Sequence, residues 1–172
     1  MELSTQQLEI KSLWDDGSFE GLAAAYGNVD SHGDRIVAGA FKGAEGIEIP
    51  LLFAHKTDQP IGIATVTETP AGLMVKGRLL LDTVAGSEAY SRLKAGVLKA
   101  LSVGFQLPKD GAAIRDGVRV ISKAVLKEIS LVVFPANPLA MVGSVKHEEA
   151  PAIASLLEWI GAPACPNDRT NP

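Results

Sequence analysis

The sequence predicts an α+β fold dominated by strands. Most apolar residues fall in short runs rich in Val, Ile and Leu, and these runs are bounded by clusters of Gly, Pro, Asn and Asp. Residues 61–69 and 73–81 are two such runs joined by Pro70, Ala71 and Gly72, which is hairpin spacing. Helical signals are confined to residues 38–44, 82–96 and 151–160. With 172 residues the chain suffices for one domain with a real core and is too short for two of ordinary size. Hydrophobic residues at 47% and charged residues at 21% place it among globular proteins rather than disordered chains.

A net charge of −4 supplies no electrostatic reason to bind nucleic acid or anionic lipid, so neither is expected as a partner. The longest apolar runs fall far short of the roughly 20 residues that span a bilayer, and no membrane segment is expected. Residues 1–7 lack the basic start and apolar core of a secretory signal, which points to a reducing cytoplasm. The single cysteine agrees. Cys165 stands between Ala164 and Pro166 with nothing beside it to lower a thiol pKa, so it reads as part of a tail rather than a nucleophile.

Residues 1–18 are polar and end in the turn signal Asp15, Asp16, Gly17, after which residues 19–26 open the first strand. Residues 27–35 (Gly-Asn-Val-Asp-Ser-His-Gly-Asp-Arg) form a long structured loop. Asp30 and Asp34 are too few oxygens for a hard cation, and no metal is expected there. Residues 38–44 make a short helix weakened by glycine. Residues 50–55 (Pro-Leu-Leu-Phe-Ala-His) read as an apolar strand ending in an imidazole, followed by a polar turn over 56–60. Asp82 or Thr83 caps a helix that stops near Gly96, with Tyr90, Leu93 and Val97 on one packing face.

The strand over residues 98–107 follows. Its centre, residues 101–105 (Leu-Ser-Val-Gly-Phe), reads as buried, and Ser102 gains nothing there from the hydrophobic effect. Its hydroxyl must bond a neighbour or do chemistry. Residues 108–117 are a charged, turn-forming insert, and residues 118–126 and 128–134 give one or two further strands. Pro135 and Pro138 end the last of them. Residues 151–160 form a short amphipathic helix with Pro151 at its start, and residues 161–172 are unstructured.

Three polar residues thus stand on apolar strand segments: His55, Ser102 and Glu128. A carboxylate in such a run is costly to desolvate unless it pairs with a cation or strong donors. One hydrogen-bonded site explains all three, with Ser102 as nucleophile, His55 as its base and Glu128 orienting the imidazole. Strand alternation places Ser130 on the face of Glu128, as a bond partner to it. His32, in the turn-rich loop, and His147, in a charged run, are rival third members that read better as solvated surface.

The ordered blocks Ala24 to Asp34, Gly39-Ala40-Phe41, Pro50 to His55, Pro60-Ile61-Gly62, Leu101 to Phe105 and Glu128 to Pro138 closely resemble the tailed-phage (caudovirus) prohead protease family. The resemblance covers residues 19–142 and implies a fold related to herpesvirus assemblin: a compact β-barrel-like core of about six to seven strands surrounded by short helices. It divides the chain into an N-terminal segment (1–18), a protease domain (19–145) and a C-terminal helix and tail (146–172) open to autocleavage. The family's histidine falls on His55 and its serine on Ser102. The third position, a second histidine in the assemblins, falls on Glu128. Oxyanion donors are implied near Ala136 and Asn137.

The resemblance further implies a serine endopeptidase of capsid maturation that needs no cofactor or metal. Its substrates would be the scaffold protein, or the scaffold-like segment of the major capsid protein, digested inside the procapsid in the bacterial host cytoplasm. The protease is expected to process itself and to be active as a homodimer. The alternative reading is a non-catalytic procapsid assembly component that keeps the same fold.

Overall fold

The computed structural model describes residues 11–142 and 144–145. Strands β1 (Lys11–Leu13), β2 (Ser18–Ala25), β3 (Asp34–Ile36), β4 (Ile49–Phe53), β5 (Lys56–Thr69) and β6 (Gly72–Leu79) precede the single α-helix of the described residues, α1 (Val84–Lys94). Strands β7 (Ala100–Gln106), β8 (Ala112–Arg115), β9 (Val118–Ile121), β10 (Val125–Val132) and β11 (Ser144–Val145) follow. The main sheet has eight strands in the order β11-β1-β2-β6-β5-β4-β10-β7, and β3-β9-β8 form a small second sheet. The molecule is mainly β, as the residue pattern predicts.

The main sheet curls back on itself. Residues 140–142 bridge its far edge to β2: Met141 pairs with Ala100 and Val142 with Gly21, and the Leu22 N–H donates to the Met141 carbonyl at 3.0 Å. Six strands, β2-β6-β5-β4-β10-β7, are thereby closed into a barrel-like ring, which satisfies edges that would otherwise stay open. Gly21 makes the closure possible. A Cβ there would lie 2.5 Å from Leu101 Cδ1 and 2.9 Å from the Met141 carbonyl oxygen.

Inside the ring, alternate residues of each strand meet. Phe19, Leu51, Ile61, Val75, Leu101, Ile129 and Leu131 belong to one core cluster and are almost wholly buried. Each such side chain contributes about 1.5–3 kcal/mol relative to exposure. Phe41 and Phe105 add an edge-to-face contact at 5.8 Å between ring centroids. In β7 this alternation sends Leu101 into the core and leaves Ser102 partly exposed on the other face, so the strand is half-buried rather than sequestered on both sides.

Three local expectations are corrected. Residues 56–60 are not a polar turn but the start of β5, because the chain reverses in the two residues Ala54 and His55. Pro60 is accommodated where the β4–β5 register shifts between Leu51 and Leu52. Within residues 108–117, Ala112–Arg115 form β8, which pairs with β9 across Asp116 and Gly117 at φ of 50° and 77°, the conformation that suits a tight hairpin. Residues 38–44 yield only a 3-10 turn over Lys42–Ala44, so one helix, not several, flanks the described barrel.

Helix α1 starts at Thr83, whose hydroxyl accepts the Gly86 N–H at 3.0 Å, and carries Arg92 and Lys94 in its last turn, where cations suit the helix dipole. Gly86, Ala89 and Leu93 face the barrel. Val97 lies beyond the helix end and is exposed, so the expected stripe stops at Leu93. At the N-terminal side, Leu13 of β1 is buried and pairs with Phe19. The 151–160 helix, the tail and His147 lie outside the described residues.

Candidate active site

Strand β10 runs between β4 and β7 and assembles the site. It lies parallel to β4, with Ser130 beside Leu52 and Leu131 beside Phe53. It lies antiparallel to β7, with Ser130 opposite Ser102 and Glu128 opposite Gly104. These registers put Ser102, Glu128 and Ser130 on one face. The β10–β7 register shifts between Leu126 and Glu128, leaving the exposed Lys127 at the irregularity; this sets which face Glu128 presents.

His55 reaches the same face from the β4–β5 turn. Ala54 and His55 have φ of 49° and 62°, a left-handed pair that costs of the order of 1–3 kcal/mol per residue unless its surroundings hold it. Two bonds to β10 do so. The Ala54 N–H donates to the Leu131 carbonyl at 3.0 Å, and the His55 N–H donates to Ser130 Oγ at 2.9 Å.

The His55 imidazole then meets Glu128: Nδ1 lies 2.7 Å from Oε1. The other carboxylate oxygen, Oε2, accepts the Ser130 hydroxyl at 2.8 Å. Burial is unequal, with the histidine side chain 46% exposed and the glutamate side chain 11%. The hydrogen bond to Glu128 raises the His55 pKa above its ordinary value; partial burial opposes this and the charge of Glu128 adds to it. Because Nδ1 faces Glu128, Nε2 is left as the nitrogen that can exchange a proton with a neighbour.

Ser102 and His55 line one cleft of about 1050 Å³. Ser102 makes no side-chain hydrogen bond among the described residues, unlike a satisfied core serine. Glu128 is not in the cleft wall and supports His55 from behind. Ala136 and Asn137 line the same cleft. The Asn137 side chain is a structural clamp: Nδ2 donates to the Ala25 carbonyl at 3.1 Å, and Oδ1 accepts Asn28 Nδ2 at 3.0 Å and the Leu139 N–H at 3.1 Å. Ser31 N–H donates to the Ala136 carbonyl at 3.0 Å, tying this loop to the 27–35 loop. Among the described residues, neither the Ala136 N–H nor the Asn137 N–H donates to a protein acceptor.

The acidic residues of the 27–35 loop have other duties. Asp34 is buried and forms a two-point pair with Arg119 of β9, at 2.6 Å from Nε and 2.5 Å from Nη2. Asp30 Oδ1 accepts the N–H groups of His32 and Asp34 at 2.8 and 2.9 Å. His32 is exposed and lines the cleft.

Read from the sequence, Gly104 leaves room on its strand for a substrate backbone; the structure puts the Glu128 carboxylate in that space instead. An alanine Cβ at this position would sit 2.1 Å from Glu128 Oε1, so the missing side chain leaves room for the carboxylate. The signal was available only as a cross-strand pairing.

Comparison with known proteins yields the family. Residues 5–153 match the family model described as caudovirus prohead serine protease. The prohead protease of Enterobacteria phage HK97 is 35% identical over 167 residues, which cover 92% of this chain and 74% of that protein. The capsid polyprotein of Pseudomonas phage PAJU2 is 31% identical over 159 residues, 87% of this chain and 23% of that protein. Among solved structures, KSHV protease with a hexapeptide phosphonate inhibitor has a TM-score of 0.49 at 13% identity, over 73% of this chain and 63% of that one. Varicella-zoster virus protease has a TM-score of 0.48 at 14% identity, over 73% and 62%. This chain spans less than two thirds of either herpesvirus protease, and the likeness is distant. By the match over residues 5–153 and the identity to the HK97 protein, the chain belongs to the caudovirus prohead serine protease family, proteases of phage capsid maturation.

Proposed function

We propose that the chain is a serine endopeptidase whose catalytic residues are Ser102, His55 and Glu128. The observation that carries this reading is the 2.7 Å pair of His55 and Glu128 at the cleft that holds Ser102. His55 Nε2 takes the Ser102 proton as Oγ attacks a peptide carbonyl, and Glu128 stabilises the resulting imidazolium. The tetrahedral oxyanion is held by the N–H groups of Ala136 and Asn137. Collapse gives a covalent acyl-enzyme as His55 returns the proton to the leaving amine. Water, deprotonated by His55, then releases the acid and restores Ser102.

The family and the likeness to the PAJU2 capsid polyprotein support a reading of the substrates. They are the scaffold protein or the scaffold-like segment of the major capsid protein, cut inside the procapsid in the host cytoplasm. The enzyme also removes its own residues after about 145 and acts as a homodimer.

The test is co-expression with the cognate capsid protein, wild type against Ser102→Ala, with mass measurement of both products. Cleavage of capsid protein and of the protease tail is expected from the wild type alone, with unchanged circular dichroism for the variant. Capsid cleavage by Ser102→Ala would remove Ser102 as nucleophile. An intact tail beside cleaved capsid would remove self-processing only.

A further inference from the structure

Ser130 lies at the centre of β10, fully buried, and meets every part of the site. It is the cross-strand partner of Ser102. Its hydroxyl donates to Glu128 Oε2 at 2.8 Å and accepts the His55 backbone N–H at 2.9 Å. With the Nδ1–Oε1 contact, these bonds close a ring that runs from the His55 backbone through Ser130 and Glu128 to the His55 imidazole. A hydroxyl has one proton to donate and lone pairs to accept, so one side chain serves both contacts.

We propose that Ser130 is the positioning residue of this site: its hydroxyl locks the Glu128 carboxylate and the left-handed backbone of His55 into one register, aiming the imidazole at the Ser102 cleft. This rests on reading Ser102, His55 and Glu128 as the catalytic set. Ser130 does not line the cleft, so it acts through its neighbours rather than on substrate. A left-handed non-glycine backbone persists only when its surroundings over-determine it. Of the two bonds that hold this turn on β10, the one from Ala54 ends on a backbone carbonyl and any residue would supply it. The one from His55 depends on a hydroxyl at position 130. Catalytic groups must be held within about 0.5 Å by the hydrogen bonds of the residues around them, and the Ser130 hydroxyl supplies one such bond to Glu128 and one to the His55 backbone.

Glu128 is the charged group in contact with the imidazole. Asp30, His32, Asp34 and Arg119 line the same cleft, and Arg92 of α1 lies over the Phe53 ring below the turn, 5.3 Å from its centroid. These groups are common to every variant compared below.

The test compares Ser130→Thr with Ser130→Val in the full chain. Both add the same bulk, and only threonine keeps the hydroxyl, so the packing cost cancels. Two readouts are taken: the rate at which a fluorophosphonate probe labels Ser102, and the NMR titration of His55, one of three histidines and assignable by His55→Gln. Ser130→Val is expected to label more slowly than Ser130→Thr, on the order of 10²-fold for a displacement of about 1 Å. Its His55 midpoint is expected to fall below that of Ser130→Thr, toward about 6.5. Equal rates and equal midpoints would overturn the proposal. If circular dichroism shows that the valine variant does not fold, Ser130→Ala against wild type is read by the same two criteria. Failure of the probe to label wild-type Ser102 would count against the catalytic set alone. The titration would then decide for Ser130 by itself: a lower valine midpoint supports the lock and an equal one refutes it.

Discussion

Replacing Gly104 by alanine tests the site without touching a catalytic group. The new Cβ would lie 2.1 Å from Glu128 Oε1, against an ordinary contact of 3.4 Å or more, so the carboxylate must retreat by at least 1.3 Å. A displacement of that size cannot keep the 2.7 Å contact with His55 unless the imidazole moves with it. Misplacement by about 1 Å costs on the order of 10²-fold in rate, and loss of the orienting acid altogether costs on the order of 10⁴-fold in a trypsin-like enzyme. Gly104→Ala is therefore expected to fall between these limits. Stability should fall by no more than about 2.5 kcal/mol, since overpacking costs about 1–3 kcal/mol while alanine in place of a strand glycine recovers roughly 0.5–1 kcal/mol. The assay is cleavage of capsid protein together with urea unfolding and the His55 titration, whose midpoint should drop toward about 6.5. Wild-type activity together with an unmoved His55 midpoint would refute the idea that Gly104 makes room for the acid.

The raised His55 pKa sets a pH dependence, because only the neutral imidazole accepts the Ser102 proton: kcat/KM should climb with pH through a midpoint above about 6.5. Glu128→Gln should bring that midpoint down and lower turnover by on the order of 10⁴-fold; a loss under about tenfold would move the orienting role elsewhere. The same shift acts on stability in the opposite sense. The contribution of the pair is full below the ordinary imidazole value of about 6.5 and is lost as pH rises through the folded midpoint, so the stability gap between wild type and Glu128→Gln should narrow with rising pH in urea titrations. Gly21→Val should lower Tm by several degrees, because its Cβ meets Leu101 and the Met141 carbonyl at the barrel closure; an unchanged Tm would show that the ring can open there without cost.

The members of the candidate site stand out in the chain because they break the local rule. Ser102, His55 and Glu128 are polar residues in apolar strand segments, and such residues need partners. The 61–69 and 73–81 hairpin and a helix cap at Asp82 or Thr83 were equally plain, since turn and cap chemistry act over three or four residues, and the structure chooses Thr83. The β8–β9 hairpin was hidden by its own signal: Asp116 and Gly117 mark a tight reversal, and a charged window around them reads as loop. Residues 56–60 failed for the converse reason, a reversal at Ala54 and His55 with no glycine to announce it.

What the sequence by itself determined is therefore the roster: mainly strands, one capped helix, and a serine, a histidine and a glutamate that must find each other. Tertiary structure alone decided how they do. His55 and Glu128 are 73 residues apart and meet because β4 lies parallel to β10 in the register that sets Leu52 beside Ser130. Ser102 comes to line the same cleft as His55 because β7 runs antiparallel on the other side of β10, which also brings Gly104 against the carboxylate. Pairing between distant strands is chosen by which faces bury together around the whole ring, and a shift of one residue would turn every one of these side chains to the opposite face. That choice is made by the closed barrel and by no local window of the chain.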